Sequence, residues 1–553
     1  MRITKNPVWK YVQAPLATAV LATMVSTPAQ AVPFTLGDSV EGSFDLTVNA
    51  GVSWRVAKQD ASLVSAANGG TGSALKGAGD DGNINWARGK TFSEAVKVIP
   101  ELELSSGDFG AFFRGKVFWD FAIQSNKAEV RNIPDEEKDI AGAGYTLLDA
   151  FVWGNFAVGE QYLDVRIGQQ VVNWGEALFA LSGGVNTINP LDGAAATAPG
   201  VEIKEIVLPT VMLYATLSLG DTQAIEGFYR PAEFWEQTLA PSCGTFFGSD
   251  QVSTYSEACN YLNIGGAPDS LPAASVIATG AAIPRGLPDA HANKDEFGVS
   301  YRFAIEALDT EFGVYYVQYN NTSPSFYLLG STVFIPNVGG APGTASYGLK
   351  YVEGLEMFGI SASTQKMRIS WQWELSYRPD SYISLGEGGL IGGALGAAYP
   401  ANTAIPDHVN GDVYQMSLTA TKVLGQMLGA GSGALVGEYT INNAAFTPGA
   451  AFDAATRTSW GYTALFSLSY FNVFSGVNLK PSVTFTHNVN GQSAIGVASF
   501  REGRRNISAT LKADFRTVHI IALKYTDYIA SDTPTGTDRY DKDFMSLTYS
   551  WSL

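Results

Sequence analysis

The sequence predicts an all-β protein, a transmembrane antiparallel up-and-down β-barrel of about 18 strands, with 16 strands as the alternative. Three observations lead to this prediction. Many segments alternate apolar and polar residues with the period of two that a strand imposes. The chain is 46% hydrophobic and 12% aromatic but only 16% charged, and beyond its start it has no apolar run that suits a membrane helix. Short and long connections also alternate along the chain, as they do in membrane barrels.

Residues 1–31 predict an N-terminal secretory signal peptide. Three basic residues lie within the first ten positions, an apolar stretch covers 14–26, and Ala29–Ala31 has the small residues of a cleavage site. The apolar stretch is too short to cross a bilayer as a helix. We therefore expect an exported chain in which residues 32–553 form one barrel domain in the outer membrane.

The first and last predicted strands show the alternation most clearly. Phe44–Val56 alternates strictly, and Phe544–Leu553 carries Tyr549 and Trp551 on its apolar face. Because a membrane barrel leaves no sheet edge open, we expect these two strands to pair with each other. The predicted strands are 44–56, 96–104, 111–121, 144–156, 162–174, 203–219, 222–230, 293–305, 311–320, 354–363, 366–378, 412–424, 433–441, 459–469, 476–487, 504–515, 518–528 and 544–553.

The connections divide into short turns at one end of the predicted barrel and long loops at the other. In membrane barrels the short turns face the periplasm and the long loops face the exterior. The apolar strand faces are then expected to contact outer-membrane lipid and lipopolysaccharide. A soluble sandwich or β-helix would instead show short repeats, and the sequence has no internal period. The long connections are 57–91, 123–142, 175–202, 231–292, 321–344, 379–411, 442–458, 488–503 and 529–539.

Charge and cysteine content restrict the partners and cofactors. The formal net charge of −17 makes nucleic acid an unsuitable partner. Cys243 and Cys259 are the two cysteines of the chain, and in an exported protein they are expected to form a disulfide. No histidine lies near them in the sequence, so a metal site is not favoured there. No cofactor motif is present, and none is expected.

The histidines give little support to an enzyme. His291 and His408 fall in predicted loops, while His487 and His519 fall at opposite ends of predicted strands. Because the apolar band of a barrel is ~25 Å tall, the latter two cannot share a site. A hydrolase in the barrel wall therefore lacks a convincing general base.

One block of the sequence resembles a known family. The segments LLDAFVWG (147–154), RIGQQVVNWGEA (166–177) and GGVNTINPLD (183–192) are similar to those of the DUF1302 family of Gram-negative outer-membrane proteins. The resemblance implies a barrel and a link to uptake or efflux of hydrophobic compounds alongside RND-type transporters. The motif residues are Gly168, Trp174, Gly175, Glu176, Asn189 and Pro190, and the resemblance is most specific at the Trp174–Glu176 and Asn189–Pro190 elements.

Polar residues on the inner faces of the predicted strands are candidates to line a lumen. The segment from Gly175 to Glu202 is rich in small residues and poor in charge, so it could fold inward and narrow that lumen. Alternatively, Trp174 and the Asn189–Pro190 pair only fix the exit of this loop. The candidate lining residues are Arg114, Lys116, Asp164, Arg166, Gln170, Trp174, Glu176, Arg368, Glu374, Lys512 and Asp514.

Three functional hypotheses follow. The first is a porin-like channel for small, hydrophobic or amphipathic molecules, because an 18-strand barrel is wide enough for a lumen. The second is a surface protein whose long loops bind a partner without transport. The third, less favoured, is a barrel-wall lipid hydrolase.

Overall fold

The computed structural model describes residues 31–553 except for 74–78, 181, 249–260, 264–266, 279–281, 330–345, 387–389, 391–402, 450–454, 495–499 and 531–538. Apart from Ala31, the predicted signal peptide lies outside the described residues.

The wall of the protein is a closed antiparallel barrel of 18 strands, which confirms the predicted fold class. Each strand pairs with the next in the chain, and the last pairs with the first from Thr47 opposite Ser552 to Arg55 opposite Phe544. The strands are β1 Val40–Arg55, β2 Thr91–Ser106, β3 Phe109–Asp120, β4 Ala143–Val158, β5 Gln161–Gln170, β6 Thr210–Ser218, β7 Gln223–Arg230, β8 Glu296–Ile305, β9 Thr310–Tyr319, β10 Leu355–Lys366, β11 Ile369–Ser384, β12 His408–Leu424, β13 Ser432–Ala444, β14 Thr458–Phe474, β15 Val477–Asn490, β16 Arg505–Phe515, β17 His519–Ile529 and β18 Phe544–Ser552.

Side-chain exposure follows the period of two that the sequence predicts. On β18, Leu547 is 43% exposed while its neighbour Ser546 is 5% exposed, because the two side chains point to opposite faces of the wall. The outer face is therefore a belt of exposed apolar side chains. Members of that belt on other strands include Val152, Ile167, Val299, Val314, Leu511 and Ile521.

Several short elements lie outside the wall. Val32–Leu36 pairs with Val40–Phe44 and continues the sheet beyond the end of β18. Tyr261–Asn263 pairs with Ala282–Pro284, and Ser325–Leu329 with Ser346–Lys350. The α-helices are Asp81–Asn85, Phe121–Gln124, Asp135–Glu137, Ile203–Ile206 and Ala273–Ala278, the 3-10 helices are Ala61–Leu63, Ala66–Asn68, Ala195–Thr197, Ala232–Phe234 and Glu306–Leu308, and Lys138–Gly142 is a π-helix. Among the described residues no helix is both long and apolar enough to cross a membrane.

The two predicted strands that flank the inward-turning segment after Gln170 are longer than the observed ones. The predicted strand 162–174 ends at Gln170, and the predicted strand 203–219 begins only at Thr210. The reason is local, since the Val172 carbonyl accepts from the Asn189 side chain at 2.5 Å and the Val172 N–H donates back to it at 3.3 Å. The chain therefore leaves the wall there and turns into the barrel.

Five clusters of buried apolar side chains form among the described residues, and two of them bear on the interior of the barrel and the seam. One lies between the wall and the chain segment after β5, and contains Val172, Trp174, Val185, Ile188, Met212, Phe228, Tyr315, Val317, Tyr319 and Met357. The other lies at the long-loop end, and contains Trp86, Phe92, Ile123, Ile133, Phe246, Phe247 and Phe544. The loops at that end are thus packed onto each other and onto the first and last strands.

Candidate channel and its inward loop

The described residues of 171–209, which exclude Leu181, fold into the barrel and are here called the inward loop. Near the start of the loop lies Trp174, which is buried and donates its indole N–H to Glu226 Oε2 at 2.6 Å. The Trp174 ring lies 5.5 Å from the Phe228 ring and 5.9 Å from the Tyr315 ring, measured between centroids. Trp174 therefore anchors the loop against the inner face of β7 to β9, rather than facing an open lumen as predicted.

Glu374 on β11 holds the next part of the inward loop. Its carboxylate accepts backbone N–H groups from Glu176 at 2.6 Å, Ala177 at 3.1 Å and Val185 at 3.0 Å. A charged acceptor makes such bonds shorter and stronger than neutral ones. Because Glu374 is itself buried, the loop backbone satisfies a charge that water cannot reach.

The glycine of the Trp174–Glu176 motif has a physical role in this contact. Gly175 adopts a φ of +90°, which side-chain-bearing residues rarely take. A Cβ at Gly175 would also lie 2.4 Å from Glu374 Oε2, and one at Gly184 would lie 2.2 Å from Oε1. Only a glycine backbone can approach the carboxylate this closely.

Glu438 on β13 holds the tip of the inward loop in the same way. Its carboxylate accepts backbone N–H groups from Leu178 at 2.6 Å, Phe179 at 3.1 Å and Ala180 at 2.7 Å. Thr419 on β12 donates its hydroxyl to the same carboxylate at 3.1 Å. Two wall carboxylates therefore take up a run of loop N–H groups that no secondary structure satisfies.

Loop carbonyls are held by cationic and amide side chains of the wall. Arg378 on β11 donates to the carbonyls of Gly183 and, at 2.5 Å, Gly184. Gln415 on β12 donates to the carbonyl of Ser182 at 3.1 Å. Acceptors of the wall thus hold residues 176–180 and 185, and donors of the wall hold residues 182–184.

The inward loop returns along the opposite wall. Lys97 on β2 donates to the Gly200 carbonyl at 3.1 Å and to Glu205 at 2.7 Å. Lys204 pairs with Glu101 on β2 at 2.6 Å. The loop therefore touches β11 to β13 on one side and β1 to β2 on the other, which supports the inward-folding hypothesis over a loop that only fixes its own exit.

Asn189 and Pro190 stand where the inward loop doubles back. The Asn189 side chain bonds both backbone groups of Val172, as described above, and the Pro190 carbonyl accepts the N–H of Leu208 at 2.9 Å. Arg230 on β7, paired with Glu296, donates to the Ile188 carbonyl at 3.0 Å. The Asn-Pro element thus ties the two ends of the loop together near the wall.

Glu176 is buried under the inward loop. Its Oε2 accepts from the Gln372 amide at 3.4 Å. Burial raises the pKa of Glu176 from 4.5 to about 8, and the neighbouring charges of Glu311 and Glu374 raise it further while Arg302 lowers it. The seated loop therefore favours a protonated Glu176.

This raised pKa predicts a pH-dependent loop. The proton on Glu176 stabilises the seated loop fully below about pH 4.5, and that stabilisation is lost as pH rises through about 8. We expect the conductance of reconstituted protein to rise between pH 7 and pH 9, and Glu176→Gln to remove this rise. Glu306→Gln, in an exposed turn, is the matched control and should keep the wild-type profile. A pH profile that is the same in all three proteins would contradict the prediction.

The other predicted lumen residues of β3 to β6 lie on the inner face in ion pairs. Arg114 pairs with Asp149 at 2.8 Å and with Glu101 at 3.1 Å, and Arg166 pairs with Asp164 at 3.3 Å. Lys116 lies beneath the inward loop with its ammonium 4.0 Å from Glu205. These charged side chains therefore mainly join neighbouring strands of the wall to one another and to the inward loop.

The neighbouring residues on β5 are structural. Gln170 is buried and donates to the Met212 carbonyl at 3.1 Å. Gly168 has a φ of +134°, and a Cβ there would lie 2.3 Å from the Ala150 carbonyl oxygen. The motif glycine thus permits close approach of β4 and β5.

Three further predicted residues lie elsewhere. Asp514 is on the inner face and pairs with Lys480 at 3.2 Å, directly beside Lys512. Arg368 differs from the prediction, because it lies exposed in a two-residue turn with a φ of +60° and not on a strand. The apolar-polar alternation continues into that turn, so the sequence pattern did not show where the strand begins.

The sequence did not identify Glu438, Arg378 or Lys97 as site residues. All three occupy inner positions of alternating strands, where any polar residue fits the pattern equally well. Only their contacts with the inward loop separate them from other inner residues. A charged residue on the inner face of a strand requires a partner if it is buried. That requirement is the one sequence feature that could have pointed to Glu438, Arg378 and Lys97.

Three buried carboxylates in the long loops form a donor set that a metal ion could use. Oxygens of Asp80, Asp81 and Asp269 lie within 4.8 Å of one another. Asp81 pairs with Arg131 at 3.2 Å, and Asn68 donates to Asp80 at 3.1 Å. Burial, together with the charges of Asp81 and Asp80, raises the pKa of Asp269 to about 7. Arg131 and Asn68 therefore already compensate part of the negative charge of this cluster.

Only one of the two cysteines of the predicted disulfide lies among the described residues. Cys243 is buried and disulfide-bonded, whereas Cys259 lies outside the described residues. Their pairing stays a prediction.

The histidines are dispersed. His408 Nδ1 lies 2.6 Å from Asp407 Oδ1, and His519 Nδ1 lies 2.8 Å from the Tyr549 hydroxyl. Among the described residues, none of the four histidines hydrogen-bonds a serine hydroxyl.

Fold and site together define a closed barrel with an apolar outer belt, a polar inner face and a loop folded inside. The chain belongs to the DUF1302 family, described as a protein family of unknown function, whose model matches residues 13–553. Comparison with curated proteins finds no match.

Solved structures of similar shape are distant. Acinetobacter baumannii OccAB3 is 8% identical, with 93% of this chain and 99% of that chain covered and a TM-score of 0.42. Pseudomonas aeruginosa OccK1 (OpdK) is 9% identical, with 94% and 100% covered and a TM-score of 0.40.

Proposed function

We propose that this protein is an outer-membrane channel for small, amphipathic solutes. In this proposal the solutes pass through the lumen between the inward loop and the inner faces of β14 to β18. The apolar outer belt suits the lipid of a membrane, and the polar inner face suits a water-filled lumen. The short turns then lie in the periplasm and the long loops outside the cell.

One observation carries this proposal. Inner residues of β8 to β13 are buried beneath the inward loop, among them Ser300, Tyr315, Ser361, Gln372, Ser376, Gln415 and Ser417. Many inner residues of β14 to β18 are half-exposed or exposed, although Asp514, Thr526 and Ser546 are buried. The half-exposed or exposed ones include Thr463, Ser467, Lys480, Ser482, Thr484, Ser508, Thr510, Lys512, Lys524 and Thr548. The loop therefore fills one side of the barrel and leaves the other side accessible to water.

The test is reconstitution of the purified full chain. We expect stepwise currents in planar bilayers and solute-dependent swelling of liposomes that contain the protein. Bilayers that receive detergent and heat-denatured protein are the control. A barrel that conducts no ions and passes no solute in either assay would exclude the channel.

The surface-binding alternative receives less support. Two described residues of the 231–295 loop are packed into the molecule. The Trp86 indole N–H donates to the Gly244 carbonyl at 3.1 Å, and the Leu239 N–H donates to the Leu191 carbonyl of the inward loop at 2.8 Å. Association with an RND-type transport system or with lipopolysaccharide belongs to the same proposal and rests on the outer-membrane location. Pull-down of the membrane-extracted protein with such a transporter would test the former.

A further inference from the structure

The outer belt contains a recess near the end of the barrel that carries the short turns. This recess has a volume of about 470 Å³ and lies on the outer face of β1 to β5, beside the turn that joins β2 and β3. Ligand sites in proteins are typically concave and mostly apolar, with volumes of ~300–1,000 Å³. The recess is called the wall recess below. Its apolar lining includes Leu104, Phe109, Ala111, Val152, Phe156 and Val165.

Small residues between large ones form the wall recess. Ala111 and Gly154 add little or no side chain to the outer face, while the rings of Phe109 and Phe156 stand beside them with centroids 5.7 Å apart. A Cβ at Gly154 would lie 3.0 Å from an atom of the Phe109 ring and 3.1 Å from one of the Phe156 ring. The two rings therefore lie against the glycine and bound the recess on one side.

The position of the wall recess makes lipid its natural occupant. Phe109, Val152 and Ile167 are exposed and belong to the outer belt. A groove left unfilled would deprive these side chains of dispersion contacts, and a flexible acyl chain can follow its shape. Bulk lipid is as apolar as the recess, so the hydrophobic effect does not favour one over the other. Close packing and headgroup contacts must therefore hold a bound chain.

Charges near the wall recess favour one kind of headgroup. Segments 36–46, 101–113 and 150–165 form the short-turn end of β1 to β5, and they contain carboxylates but no lysine or arginine. Asp108 lies in the turn beside the recess and is exposed, and its carboxylate makes no hydrogen bond or ion pair with a described residue. An ammonium group suits this carboxylate, whereas a headgroup of net negative charge is repelled by it. Phosphatidylethanolamine carries such an ammonium group, and phosphatidylglycerol does not.

We propose that the wall recess binds an acyl chain of phosphatidylethanolamine from the periplasmic leaflet, with the ethanolamine group beside Asp108. The inference rests on the membrane location and orientation of the proposed channel, but not on its conduction. Lipopolysaccharide belongs to the leaflet at the long-loop end of the barrel, so it is not the ligand of this site.

The test is photolabelling of the reconstituted full chain. Phosphatidylethanolamine with a diazirine in one acyl chain is added in trace amount to phosphatidylcholine vesicles, and labelled peptides are identified by mass spectrometry. We expect labelling of residues 109–111 and 152–156 to exceed severalfold that of the belt around Leu511 and Ile521. Equal labelling at both places would overturn the site.

Two matched variants test whether the recess itself holds the lipid. Ala111→Trp fills the recess, and Ala509→Trp places the same side chain on the exposed outer face of β16. Labelling of 152–156 should fall to the level of the rest of the belt in Ala111→Trp and stay at the wild-type level in Ala509→Trp. Labelling that persists in Ala111→Trp would contradict the proposal. Heat-dependent migration on a denaturing gel checks that each barrel has formed.

The headgroup is tested with phosphatidylglycerol that carries the same diazirine. An exposed ion pair changes a binding equilibrium by about threefold, so phosphatidylglycerol should label the wild-type recess about threefold less than phosphatidylethanolamine. Asp108→Asn should remove this difference, and Asp221→Asn, in another exposed short turn, should keep it. Equal labelling of the wild type by both lipids would overturn the assignment of the headgroup.

Two further outcomes separate this site from other readings. If Phe109→Cys chains cross-link to each other in vesicles, a second copy of the chain covers the recess and the lipid assignment is wrong. A wild type that shows selective labelling but no conductance would overturn the channel and leave the wall recess as a lipid site.

Discussion

Replacing Glu374 and Glu438 together with glutamine is expected to release residues 176–185 from the wall and raise the single-channel conductance severalfold. Both carboxylates accept runs of loop N–H groups. Glutamine has the same shape, but it removes the charge and turns an amide N–H₂ toward N–H donors. Hydrogen bonds to charged groups contribute ~1.5–3 kcal/mol each. Losing several of them removes about 3 kcal/mol or more of loop anchoring.

The measurement is the conductance distribution in planar bilayers. Glu306→Gln/Glu356→Gln removes two exposed carboxylates outside the lumen and is expected to leave the distribution unchanged. If the Glu374→Gln/Glu438→Gln protein folds and conducts like the wild type, the inward loop is not what limits the path. Heat-dependent migration of each variant on a denaturing gel checks that the barrel has formed.

Replacing Arg55 with alanine is expected to destabilise the closure of the barrel by about 3–5 kcal/mol, the usual cost of removing one partner of a buried ion pair. Arg55 ends β1 at the seam with β18 and is buried. It pairs with Asp541 at 2.8 Å and donates to the Asp541 carbonyl and, at 3.0 Å, to the Trp86 carbonyl. One side chain therefore joins the seam to two long loops.

The urea midpoint of unfolding in detergent measures this effect. Arg516→Ala, in an exposed turn at the other end of the barrel, is the control and should shift the midpoint little. Asp541→Ala should reproduce most of the loss, because it leaves the Arg55 guanidinium buried without its carboxylate. A midpoint for Arg55→Ala equal to that of Arg516→Ala would show that the seam does not depend on this pair.

The strands of the wall could be predicted because the pattern that produces each strand lies in consecutive residues. Each strand must present one apolar and one polar face, and that demand is written in consecutive residues such as Phe44–Val56. Closure of the barrel could be predicted as well, because the free edge of the last strand, Phe544–Leu553, requires hydrogen bonds to another strand. The boundaries were less certain where the pattern continued beyond the strand, as at Arg368, or where the chain turned inward after Gln170.

The site could be predicted only in part. The Trp174–Gly175–Glu176 and Asn189–Pro190 elements marked the right segment, and its small residues suggested that it could fold inward. The partners of that segment lie far away in the chain, since Glu374 is 198 residues from Glu176 and Glu438 is 260 residues from Leu178. No local pattern encodes such a meeting.

Alternation along the chain alone was enough to predict the class of fold and the pairing of the first and last strands, because the two faces of a strand depend on neighbouring residues. The choice of anchors and the side of the barrel left open depended on how the closed wall brings distant strands around the inward loop. A period of two assigns a side chain to the inner face, and only packing determines whether that face meets protein or water.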